Sequence, residues 1–381
     1  MNSLADLFFS FLRLGATAFG GPAMVAYIRR LAVEQKHWLD EDTFRAGVTL
    51  CQTVPGATAM QVSAYVGLRT RGVAGAAASF IGFGLPAFLL MMLLSAVYIQ
   101  TRSLPVVASA FNGLQAIIVA VVANATLSFG RATLRSWSNI LIAVLAAGMF
   151  LLGVSPILVI VVAASLSLVM PTAHADSLSR TAPKTNFDTA KPLLLISSVA
   201  VVALILLYFS DRQLFDLATV MLRIDLFAFG GGFASVPLMF HQIVQVRSWL
   251  PPATFIDGIA LGQVTPGPIV ITATFVGYMV AGAIGGVIAT LSIFLPSVLM
   301  VIGIAPYFDK LRTLRHFNKA IGGILCSFVG LLLAVTLRFA LHVPWGFAHI
   351  FLAIGALVAL LLNVDILWVI LAGIVLSIIF C

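Results

Sequence analysis

Charge is scarce in this chain. Of 381 residues, 21 are Lys or Arg and 13 are Asp or Glu, together 9%, against roughly 25% in a soluble globular domain. So little charge cannot clothe a water-facing surface. With 61% hydrophobic residues and a mean hydropathy of +1.12, the chain reads as an integral membrane protein. Its apolar runs approach 20 residues, and the short alternating segments of a membrane barrel are missing, so it is a helical bundle. Cysteine is rare too. Cys51, Cys326 and Cys381 show no paired or metal-ligand spacing, and neither a disulfide nor zinc is expected. The six histidines are scattered without metal spacing. No G-x-x-x-x-G-K-[ST] loop, G-x-S-x-G elbow or H-E-x-x-H helix occurs, which argues against ATP-driven pumping by this chain and against a membrane hydrolase. No enzymatic activity and no cofactor is expected. The start, Met1 to Leu14, lacks a basic leader and a clear cleavage site and reads as mature structure.

What the chain does contain is itself, twice, about 210 positions apart. Phe19-Gly20-Gly21-Pro22 returns as Phe229-Gly230-Gly231-Gly232, and Leu85-Pro86 as Leu295-Pro296. Trp38-Leu39 returns as Trp249-Leu250, and Gln52-Thr53-Val54-Pro55-Gly56 as Gln263-Val264-Thr265-Pro266-Gly267, with the offset slipping to 211 in that stretch. A duplicated apolar chain with Gly/Pro breaks at matching places is the signature of a secondary transporter.

Thirteen hydrophobic segments are legible: 4–28, 43–67, 73–99, 104–128, 138–152, 155–171, 192–209, 214–240, 253–279, 281–305, 317–340, 345–362 and 364–380. Breaks at Gly153-Val154-Ser155-Pro156 and Asn363-Val364-Asp365 make the short segments 5–6 and 12–13 hairpins rather than long bent helices. The expected fold is all-α and polytopic. A first repeat covers 1–171. A polar linker plus one unpaired transmembrane helix covers 172–212, and a second repeat covers 213–381. Six segments per repeat would leave both copies in one orientation, and the extra helix inverts the second. The net charge of +8 lies mostly in loops, the bias of a cytoplasmic face rather than a nucleic-acid footprint, although some of it can attract an anionic solute. If all thirteen segments span, twelve Lys/Arg fall on the side of the N-terminus and seven on the other, which places the N-terminus in the cytoplasm and the C-terminus outside. Re-entry of the broken segments 1, 2, 8 and 9 would raise the ratio to fifteen against four.

The four breaks carry the sharpest signal. Gly permits strained backbone, Pro removes an amide donor, and a helix starting at such a break presents free N–H groups to an anion. The ordinary alternative is packing and kinking, common for Gly and Pro in membrane helices. Candidate substrate contacts are therefore Gly20, Gly21, Pro55, Gly56, Gly230, Gly231, Pro266 and Gly267, with Gln52, Thr53, Gln263 and Thr265 beside them as neutral donors or as interhelical hydrogen bonds. Arg13 and Arg223 are repeat equivalents inside apolar segments. They suit two-pronged contact with an oxyanion, or snorkelling to headgroups. Asp225, whose counterpart is Gly15, is a candidate proton-coupling carboxylate or an internal partner for an arginine. Asp257 reads as a cap of segment 9 or an interface residue, and Met60-Gln61-Val62-Ser63, Thr272 and Thr274 as further cavity lining.

At Phe19-Gly20-Gly21-Pro22, at Gln52-Thr53-Val54-Pro55-Gly56 and at their second copies, the chain resembles the chromate transporter (CHR) family in its long, two-domain form. Gly232 stands where the first copy has Pro22, so the halves need not contribute equally. The resemblance implies chromate export across the cytoplasmic membrane, driven by the proton motive force. Read from the residues alone, the chain is a carrier suited to a small anion, by alternating access around a midplane site. Sulfate, a tetrahedral dianion like chromate, is the natural competitor. A sulfate-like anion importer, an anion channel and a scaffolding subunit remain the alternatives. The lipid bilayer is the expected surrounding. No nucleic acid is expected, and a homodimer is allowed by the small-residue faces.

Overall fold

In a computed structural model, residues 3–19, 23–170, 189–311 and 313–380 are described, and among them the fold is all-α. Residues 171–188 of the polar linker, with Arg180 and Lys184, lie outside the described residues, as does Arg312. The helices fall into two compact units, and each draws on both sequence repeats. One comprises 1–92, 176–235 and 265–314, the other 93–175, 236–264 and 315–381.

The first unit opens with α1 (Leu4–Thr17), started by Ser3, whose side chain accepts from the Asp6 amide. Then α2 (Ala23–Arg29) runs into a π-turn, Arg30–Gln35. Asp40 caps α3 (Glu41–Thr53) by accepting from the Thr43 amide and hydroxyl. Next, α4 (Thr58–Thr101) carries the chain out of this unit. The second repeat contributes α9 (Arg212–Phe227), capped by Asp211, and α12 (Thr272–Ile304). Both long helices fold back on themselves at matching places. Arg71 and Gly72 (φ 63°) leave helical geometry in α4, and Ala281 and Gly282 (φ 60°) do so in α12. At each bend two glycines touch backbone to backbone, Gly67 with Gly75 and Gly277 with Gly285, where a Cβ would collide with a carbonyl. Neither α3 nor the arm of α4 before the bend spans a bilayer alone, because 13 residues rise only about 20 Å against a hydrocarbon core of about 30 Å. The unpaired α8 (Ala190–Ser210) packs on α9 and α12 yet has no buried residue, as suits a lipid-facing helix.

The second unit is built on α5 (Pro105–Thr133) and α14 (Arg315–His342), each long and apolar enough to cross a membrane. Around them lie four short helices: α6 (Trp137–Leu151), α7 (Pro156–Val169), α15 (Phe347–Leu361) and α16 (Ile366–Phe380). Segments 5–6 and 12–13 are indeed hairpins, turned at Gly153 (φ 88°) and Asn363 (φ 62°). The pairs are exchanged between repeats: α14 packs on α6 and α7, and α5 on α15 and α16. Matching serines seal the exchange. Ser377 donates to the Ser109 carbonyl at 2.5 Å, and its counterpart Ser167 donates to Lys319 at 2.7 Å. Thr126 and Thr336, equivalents 210 apart, meet at 3.4 Å, which puts a local pseudo-two-fold axis between α5 and α14. This unit also holds α10 (Ser235–Met239), its π-turn Phe240–Val246, and α11 (Pro252–Val264). The Trp-Leu repeat closes both π-turns: the Trp38 amide donates to Ala32, and the Trp249 amide to Ile243, each at 2.8 Å.

Candidate functional site at the crossed helix breaks

Four interruptions expected from Gly and Pro meet as two crossings within the first unit, as far as they are described. Helix α3 stops at Thr53. Pro55 has no amide proton and Gly56 adopts φ 124°, a value open to glycine, before α4 starts at Thr58. In the second copy Pro266, Gly267 (φ 107°) and Pro268 precede α12, and α9 ends ahead of Gly230 (φ 95°) and Gly231 (φ 94°). The freed backbone groups pair with one another. The Gly56 amide donates to the Ala228 carbonyl at 2.9 Å, and the Gly267 amide donates to Ala18 at 3.0 Å. Ala18 and Ala228 are 210 apart and Gly56 and Gly267 are 211 apart, so the two bonds are one contact made twice.

The crossings differ in what surrounds them. At Gly56 the side chains are polar. Asp225 is wholly buried, and its Oδ2 accepts from Ser297 Oγ at 2.7 Å. Ser297 Oγ also accepts from the Ala57 amide at 3.2 Å. Gln61 is wholly buried and donates from Nε2 to the Pro55 carbonyl at 2.6 Å. Two oxygens are left over: Asp225 Oδ1 and Gln61 Oε1 have no hydrogen-bond partner. At Gly267 the corresponding positions are Gly15, pressed on the Phe83 backbone, and Ala87, whose methyl is the nearest neighbour of Gly267. One symmetric frame thus holds a carboxylate on one side and hydrocarbon on the other.

The remaining predicted residues are dispersed. Arg13 is exposed and lines a groove of about 610 Å³ with Arg30, Tyr27, Thr17, Gln35 and Lys36, the last paired with Asp6 at 2.6 Å. Arg223 is exposed on α9. Among the described residues neither arginine forms an ion pair with Asp225. Gln52 is exposed at the end of α3, and Thr53 turns its hydroxyl back to the Thr49 carbonyl. Pro55, Thr265 and Pro266 are buried. Gln263 is buried with Nε2 unpartnered, a donor without an acceptor. The amides of Gly56, Ala57 and Gly267 are engaged within the unit, so they are not free donors in this conformation. Gly20 and Gly21 lie outside the described residues.

In the second unit Asp257 is no cap. It sits inside α11, buried, and accepts from Tyr98 at 2.7 Å and Gln115 at 3.1 Å. Ser297 was missed by sequence reasoning, although the contrast of Leu85-Pro86-Ala87 with Leu295-Pro296-Ser297 marks it. Tyr98 and Gln115 carry no local signal. Among the described residues, no three of His, Cys, Asp and Glu gather into a metal site.

The profile of the family described as chromate transporter matches the chain twice, over residues 5–168 and 215–378. This chain belongs to the chromate transporter family. It is similar to an uncharacterized transporter of Methanocaldococcus jannaschii, 42% identical over 98% of this chain and 94% of that one. It is also similar to the chromate transport proteins of Cupriavidus metallidurans, 30% identical over 86% of this chain and 80% of the relative, and of Pseudomonas aeruginosa, 30% identical over 89% and 81%. No solved structure matches it. As a family member it is a multi-pass membrane protein. Each of the two matched stretches contains one copy of the helix breaks.

Proposed function

We propose that this transporter exports chromate across the cytoplasmic membrane, coupled to proton entry, by alternating access of two inverted repeats. The N-terminus is cytoplasmic and the C-terminus external. Two relatives are named chromate transport proteins, which supports the substrate. The observation that carries the coupling is Asp225, a wholly buried carboxylate in an apolar chain with neutral neighbours and one unpartnered oxygen. Holding a bare charge there is costly, and a neutral carboxyl formed by taking a proton relieves that cost. The candidate oxyanion contacts are Arg13, Arg223 and Gln52 in the first unit and, separately, Gln263 in the second. The exposed arginines gather the dianion, and the stranded Gln263 amide donor is suited to an oxyanion oxygen. Breaking and remaking the Gly56–Ala228 and Gly267–Ala18 bonds accompanies the switch and frees the break amides to join the site.

Chromate flux into proteoliposomes of the purified chain under an imposed pH gradient tests this reading. Saturable, gradient-driven movement with competition by sulfate is expected. Folded protein that moves no chromate would leave another anion as cargo, and current without exchange would mark a channel. The small-residue faces are compatible with a homodimer, to be read from the mass of the detergent-solubilised protein.

A further inference from the structure

The Pro55 carbonyl fixes which way the Gln61 amide points. At 2.6 Å from that oxygen only the NH₂ end can sit there, so Oε1 must face the other way, toward a donor. None of the described groups supplies one. Asp225 Oδ1 is in the same position, an acceptor with no donor. Both side chains converge on Gly56: a Cβ there would meet Ser297 Oγ, the partner of Asp225 Oδ2, and would lie 2.6 Å from Gln61 Nε2. Two buried side chains that meet at one glycine thus each keep an acceptor without a hydrogen.

We infer that Gln61 is the second half of a proton site: the neutral Asp225 carboxyl donates from Oδ1 to Gln61 Oε1 while Ser297 holds Oδ2. This rests on the coupling role of Asp225 proposed above. One proton from water converts the carboxylate to the acid and satisfies both oxygens. A hydrated or metal cation fits less well. Hard cations collect about six oxygens, and only these two acceptors are open, since the Pro55 carbonyl is covered by the amide and Ser297 Oγ is engaged on both sides. Among the described residues no ion pair reaches Asp225. Helix α12 has no Asp, Glu, Lys, Arg or His, α8 has only the exposed Lys191 in its first turn, and α9 carries besides Asp225 the exposed Arg212 and Arg223 and, nine residues earlier, Asp216. The α3–α4 break presents Ala57 and Gln61.

Chromate flux measured against pH, in wild type, Asp225→Asn and Gln61→Leu, tests the assignment. Gln61→Leu removes the acceptor of the neutral acid and the lone pair that repels the ionised form. The pH midpoint of gradient-driven flux therefore moves down by about one unit, a tenfold loss of proton affinity. Asp225→Asn abolishes gradient-driven flux. Infrared difference spectra of the protein on acidification give a second readout: a protonated-carboxyl C=O band present in wild type, absent in Asp225→Asn and displaced in Gln61→Leu. Retained gradient-driven flux in Asp225→Asn would overturn the coupling itself. An unmoved midpoint and an undisplaced band in Gln61→Leu would overturn Gln61 alone. A sodium gradient that replaces the pH gradient would make the site a cation site and overturn the proton.

Discussion

The Gly56 amide donates to the Ala228 carbonyl at 2.9 Å, across 172 residues of chain, and the same contact recurs between Gly267 and Ala18. In hydrocarbon a broken helix must satisfy its own backbone. Here each repeat supplies an acceptor to the break of the other. The bond also ties Asp225 to the frame, because Ala57, the next residue, donates to Ser297 and Ser297 to Asp225.

Glycine at these crossings cannot be replaced. In Gly56→Ala the new methyl meets Ser297 Oγ and Gln61 at φ 124°, and in Gly267→Ala it comes within 2.9 Å of the Ala87 methyl at φ 107°. Gly282→Ala also sits at positive φ (60°) but has no atom within 4 Å. Thermal unfolding in detergent should rank them accordingly. Gly282→Ala pays only the backbone cost of φ 60° with ψ −155°, about 1–3 kcal/mol, whereas Gly56→Ala loses more and loses transport with it.

Gln263→Leu should separate stability from function. The Nε2 amide is a buried donor with no partner, so replacing it removes a desolvation cost of about 1–3 kcal/mol. Unfolding temperature is then unchanged or raised. If that donor meets the oxyanion, the KM for chromate rises roughly tenfold or more, the loss of a hydrogen bond to a charged group at about 1.5–3 kcal/mol.

Thr126 and Thr336 offer a measurement of the pseudo-symmetry axis. Each hydroxyl donates to its own helix, to Val122 and to Leu332 at 2.8 Å, so a double-mutant cycle with Thr126→Val and Thr336→Val should return a coupling below about 0.6 kcal/mol, the average for hydrogen bonds between membrane helices.

Asp40 gives α3 a pH-dependent start. Donation from the Thr43 amide and hydroxyl holds its carboxyl below the ordinary carboxylate range. A depressed folded value means the stabilisation is full above the unfolded value of about 3.9 and is lost as pH falls through the folded one. Asp40→Asn keeps a capping oxygen and should lose little at neutral pH, while flattening the fall in unfolding temperature between about pH 5 and 3. Asp40→Ala should cost about 1 kcal/mol at neutral pH.

Much of the fold was legible because its signals are local. Pro55-Gly56 and Pro266-Gly267 break a helix wherever they stand, and Gly153 and Asn363 turn one, since the constraint lies in one residue's own φ. The candidate site was legible only in part. Asp225 was visible as a lone carboxylate in an apolar run. Ser297 was not, because a serine after Leu-Pro carries no chemistry until something is placed beside it. Arg13 and Arg223 drew attention by their repeat spacing, and each stands exposed on its helix rather than at the crossing.

By itself the sequence determined that this chain lives in a membrane, that it is built twice, and where its helices are interrupted. Hydropathy, repetition and the stereochemistry of Gly and Pro act over a few neighbouring residues. Only the tertiary structure decided that the breaks bond to each other, that α5 takes its short partners from the other repeat, and that Asp225, Ser297 and Gln61 share one buried space. Those contacts span 72 residues and more, and they are chosen by complementary packing and the need to pair every buried polar group, which no local stretch of sequence encodes.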